Sequence, residues 1–305
     1  MSSVGAPARE AVETGTIAEP PFARLPDPTT LFSVRAERYR ALADHHPLAS
    51  YLLFLAALSD NQRRVQDGLA APDMPKDDER ERARSFGMPP LDRGRFIADG
   101  AFGATLDRLL GLAADIAMPD AARAALARSL TAGPAAREAM VRAVLADSIP
   151  IEALADHVFV AAALQVHFAR RAAPLDGRRL VAVGAGACPA CGAPPVASLV
   201  VGWPRAENAR FCACSLCSTM WNYVRVKCTL CGSTKGITYR EIEGGDGLVR
   251  AETCEGCRRY VKVLQQQRKP ELDPVADDVA TLALDLLVRE LGYRRGALNP
   301  YLLGY

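Results

Sequence analysis

Apolar residues recur at helical spacing through most of the first 175 residues. The first such run begins at Leu31, and a second helix is predicted from Pro47, whose missing N–H suits the first turn of a helix. One face of that second helix carries Leu48, Tyr51, Leu52, Leu55 and Leu58. Further helices are predicted over 97–117, 120–131, 134–147 and 150–172, so this region is interpreted as an all-helical domain.

Two segments of the first half lack this pattern. Residues 1–28 are rich in alanine, proline and glutamate without periodicity, which predicts a disordered or loosely attached terminus. Residues 72–95 are charged and contain Pro72, Pro75, Pro89 and Pro90, which predicts a loop.

The pattern changes at Leu180, where valine, glycine and proline replace the alanine-rich periodicity. Short strand-like runs are predicted over 197–203, 221–226, 237–243 and 260–264. A final helix is expected over about 274–291, with Gly292 as its C-terminal cap. The apolar residues of this last helix are Val279, Leu282, Leu286, Leu287 and Leu291.

Cysteine spacing is the most specific feature of the second half, since all nine cysteines lie between 188 and 257. Eight of them form two copies of C-x2-C-x22-C-x2-C, offset by forty residues. A tetrahedral thiolate site needs four sulfurs, and each copy supplies four. We therefore predict two metal ions. Their predicted ligands are Cys188, Cys191, Cys214 and Cys217 for one ion, and Cys228, Cys231, Cys254 and Cys257 for the other.

Several alternatives remain open from the spacing alone. The two copies could exchange cysteine pairs, although the constant offset favours consecutive units. All-thiolate ligation suits zinc and mononuclear iron equally, and a four-iron cluster or a thiol–disulfide role for one pair is less favoured. A site closed by four protein ligands lacks the open position that metal-assisted hydrolysis needs, which argues for structure or electron transfer. The ninth cysteine, Cys212, is interpreted as a buried small residue rather than a ligand.

These patterns predict an α+β protein. An N-terminal all-helical domain is followed by two tandem small rubredoxin-like or zinc-ribbon four-cysteine units and a C-terminal helix. The predicted divisions are a loose terminus (1–28), a helical domain (29–178), a first unit (180–225), a second unit (226–268), and a C-terminal helix with tail (272–305).

Composition and charge narrow the function classes. The 305-residue chain has a formal net charge of +2, which is too small to indicate a nucleic-acid partner. Its longest apolar run, 51–58, is far short of a membrane span, and the first twenty residues lack a secretory signal, so a cytoplasmic protein is expected. The four histidines all lie in the helical domain, and no catalytic triad or phosphate loop is found, which predicts a protein that is not an enzyme.

The second half alone is more basic. Residues 203–270 contain twelve Lys/Arg and six Asp/Glu, an excess of positive charge. Each tetrathiolate site with a divalent ion would carry a charge of about −2, and the two sites would reduce this excess. Trp221, Tyr223, Tyr239 and Tyr260 could stack on bases, but they serve more simply as the small cores of the two units.

Taken together, the motifs resemble the FdhE family of formate dehydrogenase accessory proteins. The resemblance runs from about residue 30 to the end and includes the His46-Pro47-Leu48 start of the second helix and a tail ending in Gly292-Tyr293. Its specific part is the set of knuckles. These are Cys188-Pro189-Ala190-Cys191-Gly192, Cys212-Ala213-Cys214-Ser215-Leu216-Cys217 followed by Trp221, Lys227-Cys228 to Cys231-Gly232, and Cys254 to Cys257 followed by Tyr260 and Lys262.

The resemblance implies a maturation factor that supports assembly or activation of respiratory formate dehydrogenase and contacts its catalytic subunit. It also implies iron, rather than zinc, on the eight paired cysteines in a rubredoxin-like manner. A zinc-ribbon protein that binds nucleic acid is the alternative. A stand-alone rubredoxin-like electron carrier is a weaker third hypothesis.

Overall fold

The computed structural model describes residues 20–296 and 298–302. Its first half is helical, as the apolar periodicity predicts. The helices are α1 (Leu31–Ala43), α2 (Ala49–Arg64), α3 (Asp77–Ser85), α4 (Gly100–Ala113), α5 (Asp120–Thr131), α6 (Pro134–Leu145) and α7 (Leu154–Ala172).

Helix α7 is the central element of the helical part. Helices α2, α4, α5 and α6 all pack against it, and α1 packs on α2. Every described side chain from Phe159 to Ala169 is buried, including those outside its predicted apolar stripe. A helix enclosed on all sides loses its amphipathic pattern, and this is why its sequence is apolar almost throughout.

Helix α3 corrects the prediction of a loop over 72–95. Its first turn is acidic and its last turn basic, which complements the helix dipole. The Glu79 carboxylate also accepts a hydrogen bond from the Lys76 N–H at 2.8 Å, which caps the first turn. None of its side chains is buried, so it has no apolar stripe for a periodicity argument to detect.

One sheet of eight strands runs through both cysteine repeats, with β1 from the N-terminal segment and the other strands from the second half of the chain. The strands are β1 (Ala23–Arg24), β2 (Pro195–Val200), β3 (Arg210–Cys214), β4 (Met220–Asn222), β5 (Ile237–Arg240), β6 (Val249–Cys254), β7 (Arg259–Leu264) and β8 (Arg294–Arg295). Their order is β1-β4-β3-β2-β7-β6-β5, and β8 pairs with β7.

The two repeats meet where β2 and β7 pair in parallel, with Ser198 opposite Val263. Each repeat otherwise contributes an antiparallel meander, β2-β3-β4 in the first and β5-β6-β7 in the second. A buried ion pair crosses from one repeat to the other, since Arg210 on β3 lies 2.7 Å from the Glu252 carboxylate on β6. The two units are therefore joined by both backbone and side chains.

Strands β3 and β6 are absent from the sequence prediction, although each carries the third cysteine of its repeat. Strand β1 also corrects part of the prediction for 1–28, because Ala23 pairs with Trp221 and so attaches this segment to the sheet. The prediction for residues 1–19 lies outside the described residues.

The predicted final helix is two helices, α8 (Ala276–Ala280) and α9 (Leu282–Glu290), broken at Thr281. The Thr281 hydroxyl donates to the Asp277 carbonyl at 2.7 Å, and the Thr281 carbonyl accepts from Lys262 Nζ at 3.1 Å. Helix α8 packs on α1 and α2, whereas α9 packs on β6 and β8. Of the apolar residues that the prediction placed here, Leu286, Leu287 and Leu291 are exposed.

Buried charges attach this C-terminal segment to the rest of the protein. Lys262 on β7 lies 3.2 Å from Asp278 and 2.5 Å from Asp285, and Arg295 pairs with the same two carboxylates. Arg38 on α1 contacts Asp277 at 2.5 Å. The tail thus links the helical part to the sheet.

The predicted fold class is confirmed: an N-terminal helical part, a sheet bearing two four-cysteine clusters, and a helical C-terminal segment. Within the part of the chain that the structure describes, no helix is long and apolar enough to span a bilayer.

Candidate metal centres

The first cysteine pair of each repeat lies on the same kind of tight turn. The Gly192 N–H donates to the Cys188 carbonyl at 2.8 Å, and the Gly232 N–H donates to the Cys228 carbonyl at 3.0 Å. Both glycines have positive φ, +76° and +75°, a conformation that costs a side-chain-bearing residue energy. This is the physical reason that glycine follows each of these pairs.

The second cysteine pair of each repeat begins at the end of a strand. Cys214 is the last residue of β3, and Cys254 is the last residue of β6. The residue after each closing cysteine again has positive φ, +59° at Ser218 and +52° at Arg258. The turns therefore match across the repeat as closely as the cysteine spacing does.

The sulfurs assemble by consecutive copies rather than by exchange between copies. Within each group of four, all Sγ atoms lie within 4.8 Å of one another. The Sγ–Sγ distances include 3.6 Å for Cys188–Cys217, 3.4 Å for Cys191–Cys214, 4.0 Å for Cys228–Cys257 and 3.7 Å for Cys231–Cys254. Tetrahedral ligation at about 2.3 Å places sulfurs about 3.8 Å apart, so both groups fit one metal ion each.

Neighbouring groups that the cysteine motif does not reveal also contact the sulfurs. The Leu216 and Cys217 N–H groups donate to Cys214 Sγ at 3.3 and 3.4 Å, and the Leu230 N–H donates to Cys228 Sγ at 3.4 Å. Cys217 Sγ donates to the Thr219 hydroxyl at 3.2 Å. The backbone N–H donors stabilise thiolate charge, and only the folded turns bring them to the sulfurs.

Electrostatics favour the thiolate form of Cys214 over the thiolate forms of Cys188 and Cys191 before any metal binds. Burial raises the pKa of the Cys188 and Cys191 thiols well above their usual range. Burial also opposes ionisation of Cys214, but hydrogen bonds from the other three thiols and from Leu216 hold the pKa of Cys214 well below it. In the second group, burial raises the pKa of Cys228 to about 12. Metal binding must therefore release protons at both sites.

The two groups differ in their exposure. All four cysteines of the first group are buried and belong to the main hydrophobic core, which also contains the helical residues. The loop between α3 and α4 covers this group, since the Leu91 N–H donates to the Ala190 carbonyl and the Arg93 N–H donates to the Cys191 carbonyl. In the second group Cys231 is exposed and Cys257 is half-buried. Only the second group is therefore open to solvent.

Cys212 lies outside both groups, on β3 and opposite Trp221. It is buried, and burial raises the pKa of its thiol to about 12. It is thus a neutral core thiol, in agreement with the interpretation from the sequence. Of the aromatic residues near the knuckles, Trp221 and Tyr260 are buried, whereas Tyr239 is exposed.

The fold and these centres define a class: proteins with a helical N-terminal part joined to a sheet that carries two four-cysteine metal-binding clusters. Three family models cover the described chain, namely FdhE N-terminal (20–185), FdhE central domain (187–225) and FdhE C-terminal domain (226–302). The chain belongs to the FdhE family.

Individual relatives agree with this assignment. An FdhE homolog of Rhizobium meliloti is 45% identical over 293 residues, covering 95% of this chain and 96% of the relative. An FdhE homolog of Pseudomonas aeruginosa is 35% identical over 92% of both chains. The crystal structure of the FdhE protein from Pseudomonas aeruginosa matches with a TM-score of 0.83 at 33% identity, covering 93% of this chain and 99% of that one.

Proposed function

We propose that this protein is a non-catalytic accessory factor for the assembly or activation of respiratory formate dehydrogenase. In this role it binds the catalytic subunit of that enzyme in the cytoplasm, before export. The observation that carries the proposal is membership of the FdhE family along the whole described chain.

The eight paired cysteines are proposed as the ligands of two metal ions, and iron as the metal. The sulfur separations support four-coordinate thiolate ligation at each group. Tetrathiolate iron would supply reversible one-electron chemistry, which zinc lacks. Four protein ligands leave each ion without an open coordination position for a substrate or water. The chain therefore holds the ion rigidly and buries it, and the site does not favour metal-assisted hydrolysis.

The two groups then have different tasks. The first group joins the sheet to the helical core, because its cysteines are part of that core. The second group organises the turns at the outer end of the sheet, where β5, β6 and β7 meet. The conformation of the protein surface at this end therefore depends on the bound metal, and we expect this dependence to affect the binding of a client protein.

Co-purification tests the role directly. The tagged full-length protein is co-expressed with the formate dehydrogenase catalytic subunit, in parallel with Cys231→Ser and with Cys212→Ala as the control cysteine. We expect the subunit to co-purify with the wild-type protein and with Cys212→Ala, and less with Cys231→Ser. Absence of association with the wild-type protein would overturn the proposal.

Metal content and the absorption spectrum of anaerobically purified protein test the choice of iron. Two irons per chain with visible thiolate-to-iron charge-transfer bands are expected. Two zinc ions per chain and a colourless protein would contradict the proposal of iron. The two metal sites would then have a structural role only.

The rival prediction, a nucleic-acid binder, has less support. Trp221 and Tyr260 are buried in the sheet and so are not available to stack on bases. Binding to nucleic acid would weaken steeply with rising salt, because phosphate contacts release counterions. A titration with single-stranded DNA at two salt concentrations separates the two functions.

A further inference from the structure

Strand β5 is the outermost strand of the second repeat, at one end of the sheet order. Among the described residues it pairs with β6 alone, in antiparallel register with Ile237 opposite Cys254 and Tyr239 opposite Glu252. The Glu255 N–H donates to the Gly236 carbonyl at 2.9 Å, which places 236/255 among the hydrogen-bonded pairs. Since such pairs alternate along an antiparallel ladder, 238/253 and 240/251 are also hydrogen-bonded pairs.

It follows that the N–H and C=O groups of Ile237 and Tyr239 point away from β6. Among the described residues, none forms a hydrogen bond with these four backbone groups. An open strand edge of this kind is a template for an additional strand, and most proteins protect such edges with a cover or a bulge. Here Thr238, Tyr239 and Arg240 are all exposed.

Exposed apolar side chains flank the loop residue that contacts the Tyr239 side chain of β5. The Tyr239 hydroxyl lies 3.0 Å from the Glu252 carboxylate and 3.3 Å from the Arg225 carbonyl, so the loop before the second repeat lies near the Tyr239 side chain. The flanking residues of that loop, Val224 and Val226, are 60% and 69% exposed, and Tyr239 is 46% exposed. This edge and loop lie next to the open metal centre, whose exposed ligand is Cys231.

The exposed side chains along this edge that lack an ion-pair partner among the described residues are cations. Arg225, Lys235 and Arg240 are exposed, and within the described part of the chain each lacks a carboxylate within ion-pair distance. Three carboxylates of the same hairpin already form ion pairs with other residues: Glu241 with Arg250, Glu255 with Arg258, and Glu252 with buried Arg210. The other two, Glu243 and Asp246, lie in the turn beyond the strand.

We propose that the open edge of β5, together with Val224 and Val226, docks an extended acidic segment of another protein, which adds to the sheet as a strand. The backbone groups of Ile237 and Tyr239 supply the new ladder, and alternate side chains of the segment meet the valines and the three cations. The outward backbone pairs favour a peptide over a nucleic acid, which would use only the cations.

The test uses the full-length, metal-loaded protein and a fluorescent ten-residue peptide that alternates glutamate with valine or threonine. We expect a saturable rise in anisotropy, and slowed hydrogen exchange at the Ile237 and Tyr239 amides. The same peptide with lysine for glutamate, and one with a central proline that prevents strand formation, are expected not to bind.

Charge-reversal variants test whether the peptide binds at the edge of β5. Arg225→Glu with Arg240→Glu should weaken peptide binding by about tenfold or more. The matched control reverses two exposed cations of the helical part, Arg82→Glu with Arg123→Glu, and should leave binding unchanged.

Three results would each overturn the proposal: no binding of the acidic peptide, binding that survives the reversal at Arg225 and Arg240, or displacement of the peptide by single-stranded DNA that binds more tightly. Because the probe is synthetic, its outcome is independent of whether formate dehydrogenase is the client.

Discussion

His167 is a buried ionisable residue that the metal centres do not use. Its ring packs against Phe96, Phe102 and Phe168, and its Nε2 atom lacks a hydrogen-bond partner among the described residues. Burial, aided by the charge of Arg171, lowers the pKa of His167 to about 4. The folded protein therefore holds this imidazole neutral, whereas the unfolded chain protonates it near pH 6.5.

This difference predicts an acid-dependent loss of stability. The contribution of His167 to the free energy of unfolding is fully present above the pKa of this residue in the unfolded chain. It is lost as the pH falls from about 6.5 towards 4. Between pH 7.5 and 5 the loss amounts to about 2 kcal/mol. Urea unfolding at both pH values should show that His167→Gln removes this part of the pH dependence.

The matched control is His45→Gln, because His45 is almost fully exposed. Its variant should keep the pH dependence of the wild-type protein. If His167→Gln also kept it, the acid sensitivity would have to come from other groups.

At the scale of elements, the two four-cysteine units share their turns but not their surroundings. The first group lies in the main core, and the second has an exposed ligand in Cys231. Releasing metal from the first group requires opening of the core, whereas the second group needs only local opening of its turns.

Metal release to a chromogenic chelator should therefore be biphasic, with rates that differ by at least about tenfold. We expect Cys231→Ser to abolish the fast phase and Cys191→Ser to abolish the slow one. Equal rates at the two sites, or loss of the same phase in both variants, would contradict the assignment.

These variants should also differ in their effect on folding. Cys191→Ser is expected to destabilise the helical part with the first unit, because Cys191 and the helical residues share one core. Cys231→Ser is expected to act on the second unit alone. The cysteine spacing alone does not reveal this difference, because the shared core depends on contacts between residues far apart in the chain.

At the scale of the whole molecule, the C-terminal segment holds the two halves together through buried charge. Lys262 on β7 is enclosed by Asp278 and Asp285, and its ammonium also donates to the Asp278 carbonyl at 2.7 Å. Such a cluster is costly to break, since removal of one partner leaves uncompensated buried charge.

Lys262→Met should lower the free energy of unfolding by about 3–5 kcal/mol. Hydrogen exchange should accelerate in α8 and α9, which the cluster attaches to the sheet. The exposed Lys235→Met provides the control and should change stability by less than about 0.5 kcal/mol. A Lys262 variant as stable as this control would show that the cluster does not hold the tail.

The predictable features of the fold are those encoded locally. The periodicity located α5 (Asp120–Thr131) at the predicted bounds. It missed α3 because that helix buries no side chain, and it merged α8 with α9 because Thr281 breaks the helix through a contact with distant Lys262. It also missed β3 and β6, whose residues are identified as strands only by their partners across the sheet.

The sequence by itself determined the two four-cysteine groups, since the ligands of each knuckle are neighbours in the chain and their glycines occupy positive-φ turns. It also determined the helical character of the first half, because periodicity is a local property. Only the tertiary structure decided that β2 and β7 join the repeats into one sheet, that the first group is sealed while Cys231 is exposed, and that β5 keeps an open edge. These features depend on contacts between residues far apart in the chain, and such contacts leave no periodic trace in it.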